Sequence, residues 1–227
     1  MRGLFRYGLD APGVVIALAA GGVAAFVLGL AVTPYLLVTG AALLAAAAAM
    51  LFTSAAGKLG AREQLLDLMD LGGQEHFLDV GCGRGLLLVG AAKRLPRGRA
   101  VGVDLWRARD QAGTSEEAAR SNARAEGVED RIELVTADAR ELPFPDASFD
   151  AVVTSLTLHN IRGASGRARA VDEIVRVLRP RGRVGILDIA RTREYVQTLE
   201  RAGLEARRVR VALPVFPPAR LVLARKP

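Results

Sequence analysis

Three glycines, Gly81, Gly83 and Gly85, alternate with other residues directly after a short apolar run that contains Asp79. Glycine tolerates positive φ angles and lets backbone amides approach a ligand closely. A helix that follows such a loop also turns its N-terminal amides towards the ligand and favours polar or anionic groups. The G-x-G-x-G spacing differs from the G-x-G-x-x-G of dinucleotide sites, which argues against NAD.

A second acidic residue, Asp104, ends the next apolar run, nineteen residues after Gly85. A carboxylate at this position of an α/β sheet accepts hydrogen bonds from ribose hydroxyls. Together with the glycine loop, Asp104 indicates an adenosine-type ligand. Asp138 and His159 follow the third and fourth apolar runs. Because the carboxyl ends of parallel strands share one edge of a sheet, we expect all these residues near the ligand.

Apolar runs of strand length alternate with stretches of helical period from residue 72 to the end of the chain. The predicted strands are 76–80, 100–105, 131–137, 149–158, 182–189, 206–213 and 219–226. The predicted helices are 86–95, 115–127, 168–178 and 193–203. Only a short proline-rich connection joins the last two strands, so they must pair antiparallel. The pattern predicts an α/β fold, with a doubly wound, mostly parallel seven-stranded sheet and a C-terminal antiparallel hairpin.

The segment before this region is apolar, and residues 11–57 contain no charged side chain. A membrane-spanning helix needs about 20 apolar residues, so the segment is long enough for two transmembrane helices. Thr33 and Pro34 interrupt it, and we expect helices at 11–32 and 35–56 with a tight turn between them. The alternatives are a cleaved signal peptide, a buried hairpin in a soluble protein and a single long tilted span.

Small residues in this hairpin predict how its helices pack, and the flanking basic residues predict its orientation in the membrane. Gly21, Ala25 and Gly29 repeat at a spacing that lets two helices approach closely. The basic residues that flank its two outer ends are Arg2, Arg6, Lys58 and Arg62. The turn carries none, so an integral membrane protein with both termini and the catalytic domain on the cytoplasmic side is expected.

The chain is therefore expected to have three parts. These are a membrane-spanning helical hairpin at 1–57, a connecting helix at 58–71 and a ligand-binding domain at 72–227. The formal net charge is +7. A basic domain held at a membrane is attracted to anionic headgroups, although the charge could equally be a solvated basic face. No basic stripe with interleaved aromatics is present, so we expect no nucleic-acid partner.

Cysteine usage limits the chemistry further, because Cys82 is the single cysteine of the chain. An intrachain disulfide is impossible, and no metal-binding pattern is present. Cys82 is interpreted as a small packing residue rather than a nucleophile. The sequence sets no oligomeric state.

From about residue 70 onward the chain resembles the class I S-adenosylmethionine-dependent methyltransferases. The segments that carry the resemblance, in order, are FLDVGCGRG, VGVDL, TADARELPFPDASFDAVVTSLTLHN and EIVRVLRPRGRVGILDI. The resemblance implies a methyltransferase with S-adenosylmethionine as cofactor. It says little about the methyl acceptor.

By position, the resemblance implies a role for each site residue. The cofactor-binding residues would be Asp79, Gly81, Cys82, Gly83, Gly85, Asp104, Leu105, Trp106, Asp138, Ala139, Ser155 and Leu156. The glycine loop would surround the methionine part, unless Asp79 only caps the helix. Asp104 would hold the ribose, and Leu105 or Trp106 would flank the adenine. Asp138 would face the adenine amino group, and the strand-four residues would lie near the sulfonium.

A catalytic base is needed only if the acceptor must lose a proton. His159 is the candidate base, with Asn160 beside it, although it could be a loop histidine with a structural hydrogen bond. His76 precedes the first strand, on the opposite side of the sheet, and is expected to be structural. The Asn/Asp-Pro-Pro-aromatic signature of adenine N6 methylation is absent. A single cysteine also argues against arsenite as the acceptor.

In the family that the chain resembles, the elements before the first strand contribute to the acceptor pocket. Here those elements are the hairpin and the connecting helix, so the active site is expected near the bilayer. The chain is therefore predicted to be a membrane-anchored methyltransferase that acts on a small, hydrophobic or lipid-like acceptor. Candidates include a lipid, a prenylated quinone precursor or a hydrophobic metabolite. The alternatives are a methyltransferase of soluble small molecules with the hairpin as an anchor, and a non-catalytic membrane scaffold.

Overall fold

The structure is a computed structural model in which residues 6–107, 113–212 and 215–227 are described. It begins with a hairpin of two apolar helices, α1 at Pro12–Ala31 and α2 at Tyr35–Phe52. A π-helical segment, Thr53–Gly57, continues α2 directly into α3 at Lys58–Leu68. The predicted connecting helix is thus the C-terminal part of one long helix. It ends at Leu68 rather than at residue 71.

An α/β domain follows the long helix. Its strands are β1 (His76–Val80), β2 (Arg99–Asp104), β3 (Ile132–Thr136), β4 (Phe149–Ser155), β5 (Leu178–Asp188), β6 (Glu205–Arg210) and β7 (Arg220–Arg225). Its helices are α4 (Leu86–Arg94), α5 (Glu116–Ala125), α6 (Ala164–Val177) and α7 (Thr192–Arg201). Short 3₁₀ turns at Glu129–Arg131 and Leu158–Asn160 complete the described elements.

The seven strands form one sheet in the order β3-β2-β1-β4-β5-β7-β6. Strands β1 to β5 are parallel, whereas β7 pairs antiparallel with both β5 and β6. The predicted α/β class, mostly parallel sheet and antiparallel end are confirmed. The order of the parallel strands reverses between β1 and β4, and ligands of open α/β sheets bind at that switch point.

Three strand bounds differ most from the prediction. Strand β5 begins at Leu178 rather than at residue 182, because Leu178 already pairs with Phe149 of β4, and α6 covers Ala164–Val177 instead of 168–178. Strand β4 ends at Ser155 rather than at residue 158, because Leu156 has a positive φ of 52° and leaves the extended conformation. The next residues form the 3₁₀ turn that carries His159. Strand β6 ends at Arg210, and residues 213–214 of the predicted strand and connection lie outside the described residues.

Apolar side chains cover both faces of the sheet. On one face α3 contributes the fully buried Leu65 and Leu66, and the next residue after the helix, Met69, is also buried there. At Gly185 of β5 a Cβ atom would lie 2.7 Å from Leu65 Cδ1 and 2.8 Å from Met69 Sδ, so this glycine lets α3 pack directly on the strand. Because α3 continues α2, this packing fixes the position of the hairpin on the domain.

The hairpin helices are long and apolar enough to cross a membrane, by length and composition. Of their most apolar windows only 17% and 22% are buried in the structure, so the domain does not cover them. They approach each other at Gly22, Gly29 and Gly40. Gly29 is one of the expected contact residues, whereas Gly22 takes the place of its neighbour Gly21, which faces outward.

Gly40 offers a test of this helix packing. A Cβ atom there would lie 2.7 Å from the backbone nitrogen of Phe26 and 2.8 Å from the carbonyl oxygen of Gly22. We therefore expect Gly40→Ala to destabilise the hairpin by about 1–3 kcal/mol through overpacking. Thermal unfolding of the full chain in detergent should show a lower Tm. The control is Gly13→Ala, because a Cβ atom at Gly13 meets nothing within 4 Å; equal Tm values for both variants would contradict the packing.

Candidate active site

A cavity of about 810 Å³ lies between the carboxyl ends of the strands and the base of the hairpin. Eleven of the sequence-predicted residues line it: Asp79, Gly81, Cys82, Gly83, Asp104, Leu105, Asp138, Ala139, Ser155, Leu156 and His159. Asn160, beside the candidate base, also lines it. Gly85 and Trp106 do not belong to its lining. The hairpin side contributes Tyr7, Asp10, Ala11, Val14, Leu18, Met50, Thr53, Ser54 and Lys58.

The glycine loop needs its glycines for conformation and for space. Gly81, Gly83 and Gly85 all have positive φ angles, of 76°, 52° and 82°. At Gly81 a Cβ atom would lie only 2.2 Å from Thr157 Oγ1, and this hydroxyl donates to the Gly81 carbonyl at 3.2 Å. Gly85 precedes the first residue of α4 and ends the loop. The loop is therefore held against the end of β4, at the switch point of the sheet.

Asp79 is buried beneath this loop, with 1% of its surface exposed. Its Oδ2 accepts a hydrogen bond from the Leu88 backbone at 2.9 Å, so the carboxyl group does bond the helix that follows. Its Oδ1 has no hydrogen-bond partner within the described residues. Burial raises the pKa of Asp79 to about 8. A buried oxygen without a donor, facing a cavity, fits a ligand that carries an ammonium group.

Asp104 is fixed by two backbone amides. Its Oδ2 accepts from the Gly83 nitrogen at 2.8 Å, and its Oδ1 accepts from the Trp106 nitrogen at 2.7 Å. Each oxygen keeps a lone pair for a further donor such as a ribose hydroxyl. Leu105 lines the cavity, whereas the Trp106 indole donates to Thr136 Oγ1 at 2.8 Å. Of these two neighbours, Leu105 has the position to flank an adenine.

Asp138 is paired with a residue that the sequence analysis did not single out. Arg140 donates to both carboxylate oxygens, at 2.9 and 2.6 Å, and also lines the cavity. This hydrogen bonding holds the pKa of Asp138 below its ordinary value. A ligand amino group at Asp138 must therefore share the carboxylate with Arg140.

His159 lies beside a buried carboxylate. Its Nδ1 is 2.7 Å from Asp188 Oδ1, although the geometry at Nδ1 does not make a regular hydrogen bond. The Asp188 side chain also accepts from the Tyr195 hydroxyl at 3.3 Å and from the Ile189 amide at 2.7 Å. The sequence analysis missed Asp188, even though it ends β5 in the same way that Asp104 ends β2.

Cys82 and His76 were predicted to be structural residues, and this stays a prediction. Cys82 is buried, and burial raises the pKa of its thiol well above the ordinary value, so it is not an activated nucleophile. Its sulfur packs against Gly102, where a Cβ atom would lie 2.8 Å away. His76 begins β1 at the amino ends of the parallel strands, opposite the cavity, and its backbone amide donates to Asp150.

The hairpin side of the cavity is built by contacts that no local pattern indicates. Lys58 Nζ donates to the carbonyls of Tyr7 and Gly8 and lies 3.3 Å from an oxygen of Asp10. Ser54 Oγ donates to the same carboxylate at 3.2 Å. The first turn of the chain and the base of the long helix therefore form one polar cluster at the cavity.

Comparison with known proteins relates the domain to methyltransferases. Residues 78–186 match the family described as a methyltransferase domain. The chain is 36% identical over 118 residues to the demethylmenaquinone methyltransferase of Symbiobacterium thermophilum. It is 34% identical over 125 residues to the chloroplastic 2-phytyl-1,4-beta-naphthoquinone methyltransferase of Arabidopsis thaliana. These matches cover 52% and 55% of this chain, but only 43% and 45% of the relatives.

Solved structures show the same fold. A SAM-dependent methyltransferase from Aquifex aeolicus superposes with a TM-score of 0.57 at 22% identity, over 74% of this chain and 90% of that one. The [4+2]-cyclase SpnF superposes with a TM-score of 0.61 at 21% identity, over 73% of this chain and 79% of that one. A fold shared with a cyclase does not by itself define the reaction.

The raised pKa of Asp79 gives a prediction for the ligand-free protein. Between pH 4 and 8 the folded chain holds a proton on Asp79 that the unfolded chain has lost, so this group lowers stability as the pH rises. Asp79→Asn keeps an acceptor for the Leu88 amide and removes the titration. We measure the Tm of the variant minus the Tm of the unmodified protein at each pH. This difference should increase from pH 5 to 8 and then stay constant. Parallel pH profiles would contradict the burial of an uncharged Asp79.

Proposed function

We propose that this chain, in which residues 78–186 match a methyltransferase domain, is a class I S-adenosylmethionine-dependent methyltransferase that transfers a methyl group from S-adenosylmethionine to a small hydrophobic acceptor at a membrane. One observation carries the proposal. A single cavity joins the glycine loop, the His159–Asp188 pair and the base of an apolar hairpin. The cavity therefore holds a cofactor site, a candidate base and an apolar wall in one volume.

The cofactor would lie along the loops of β1, β2 and β3. The unpaired oxygen of Asp79 would accept from its ammonium group, and Asp104 would accept from its ribose hydroxyls. Leu105 would pack on the adenine, and Asp138 would accept from the adenine amino group. When bound, the sulfonium supplies an activated methyl group, and the protein supplies position and electrostatics.

His159 would take the proton that the acceptor loses. A histidine has an ordinary pKa near neutrality and can accept a proton there. Asp188 faces Nδ1 at 2.7 Å, so it would orient the ring and stabilise the imidazolium that forms. The base would then be Nε2. An intact base and carboxylate support a catalytic protein over the scaffold alternative.

The hydrophobic acceptor is supported by the cavity rim and by the relatives. Ile189 and Phe216 are large apolar residues that are 36% and 40% exposed, and both line the cavity. The named relatives methylate demethylmenaquinone and 2-phytyl-1,4-naphthoquinone, which are apolar quinones. We therefore favour a quinone-like acceptor over a soluble one, with the hairpin in the bilayer and the domain on the cytoplasmic side.

The cofactor site is tested by calorimetry of S-adenosylmethionine binding to the full chain in detergent. Asp104→Ala removes the ribose acceptor and the two bonds that fix the loop, so affinity should fall about 10- to 100-fold, as for a lost charged hydrogen bond. The exposed Asp130→Ala is the control and should bind like the unmodified protein. Equal affinity of both variants would contradict the assigned cofactor site.

The base is tested with 2-phytyl-1,4-naphthoquinol as acceptor and labelled S-adenosylmethionine as donor. His159→Gln should lower kcat about 10²- to 10⁴-fold, the usual contribution of a general base, and leave cofactor affinity unchanged. His76→Gln, at the other edge of the sheet, should keep full activity. If both variants keep their kcat, His159 is a structural histidine.

A further inference from the structure

We propose that the hairpin itself forms the binding site for the apolar tail of the acceptor. In this arrangement the tail lies against Val14, Leu18 and Met50, and the polar head lies between Lys58 and His159. The inference rests on the proposed function and assigns its acceptor class, a membrane-soluble amphiphile with a hydrocarbon tail. The hairpin is then part of the active site rather than only an anchor.

The spacing of the lining residues shows that one face of each helix borders the cavity. On α1, Val14 and Leu18 are four residues apart, which places them on one side of the helix, and Ala11 lies directly before the helix. On the long helix, Met50 and Ser54 are four residues apart. The two faces belong to the same cavity as the cofactor loops, so none of the described residues separates them from the catalytic end.

The polarity of this wall changes along its length. The wall is apolar where Leu18 and Met50 face the cavity, within the hairpin. It carries hydroxyl groups at Thr53 and Ser54, and it ends at the ammonium group of Lys58. A change from apolar to charged over about two helical turns matches one amphiphilic molecule with its head towards the sheet.

The π-helical segment builds the middle of the wall. Such segments are frequent at functional sites because they change which side chains share a face. Here Thr53 and Ser54 are adjacent in sequence and are both buried. Thr53 Oγ1 accepts from the Phe216 amide at 2.8 Å, and Ser54 bonds to Asp10. The wall is therefore fixed on both sides by hydrogen bonds.

The size of the cavity leaves room for this occupant. Ligand pockets usually measure about 300–1,000 Å³, and the volume of about 810 Å³ lies in the upper part of that range. The cofactor and the head of an acceptor can be accommodated together. A tail can continue along the surface of α1, because Val14 is half exposed there.

The test uses the full chain in phospholipid nanodiscs with two acceptors, 2-phytyl-1,4-naphthoquinol and tail-less 1,4-naphthoquinol. Leu18→Trp fills the tail site, so it should raise KM for the phytyl acceptor at least tenfold and change KM for the tail-less one less than twofold. Ile16→Trp places the same side chain on the outward face of α1, at a residue that is 68% exposed, and is the control. Cofactor affinity should stay the same in both variants.

Binding is measured separately, so that failure of the proposed function can be distinguished from failure of this inference. Native mass spectrometry counts 2-phytyl-1,4-naphthoquinone retained by each protein. The unmodified chain and Ile16→Trp should retain it, and Leu18→Trp should lose it. Retention without methyl transfer would overturn the proposed function alone. The tail site would be overturned if Leu18→Trp and Ile16→Trp showed the same methyl transfer or the same retention of the quinone. It would also be overturned if none of the three proteins retained the quinone.

Discussion

The junction between the hairpin and the α/β domain depends on a buried cation, the ammonium group of Lys58. Its side chain is only 6% exposed, and a buried charge is costly unless it is paired and hydrogen-bonded. The partners are the carbonyls of Tyr7 and Gly8 and the carboxylate of Asp10. The segment before α1 must therefore return to the base of the long helix.

This constraint connects the hairpin to the cofactor loop. The segment before α1 also bonds to the domain, where Arg84 of the glycine loop donates to the Arg6 carbonyl at 3.0 Å. Asn122 of α5 donates to the Arg84 carbonyl at 2.8 Å, and Glu126 accepts from the Tyr7 hydroxyl at 2.5 Å. The same loop that would hold the cofactor is thus held by the entry to the hairpin. A single cavity between them follows directly from these contacts.

Much of the fold could be predicted because its signals are local. The alternation of strand and helix patterns predicted the sheet. Asp79 and Asp104 could be predicted as site residues because they are acidic and lie near the ends of predicted strands. The hairpin wall could not be predicted, because Lys58 and Ser54 contact residues more than 40 positions away. Asp188 was missed for a different reason, since its position at the end of β5 was visible but its histidine partner lies on another element. Gly21 was preferred to Gly22 because spacing alone does not set the rotation of a helix.

The central claim is that the hairpin and the catalytic loops share one acceptor site. The most direct measurement is photo-crosslinking of the full chain in nanodiscs with 2-phytyl-1,4-naphthoquinone that carries a diazirine in its tail. Peptide mass spectrometry then locates the adducts. We predict adducts at Val14, Leu18 and Met50 that unlabelled quinone removes by competition. Adducts confined to outward-facing residues such as Ile16 and Tyr35, unaffected by competition, would contradict the shared site.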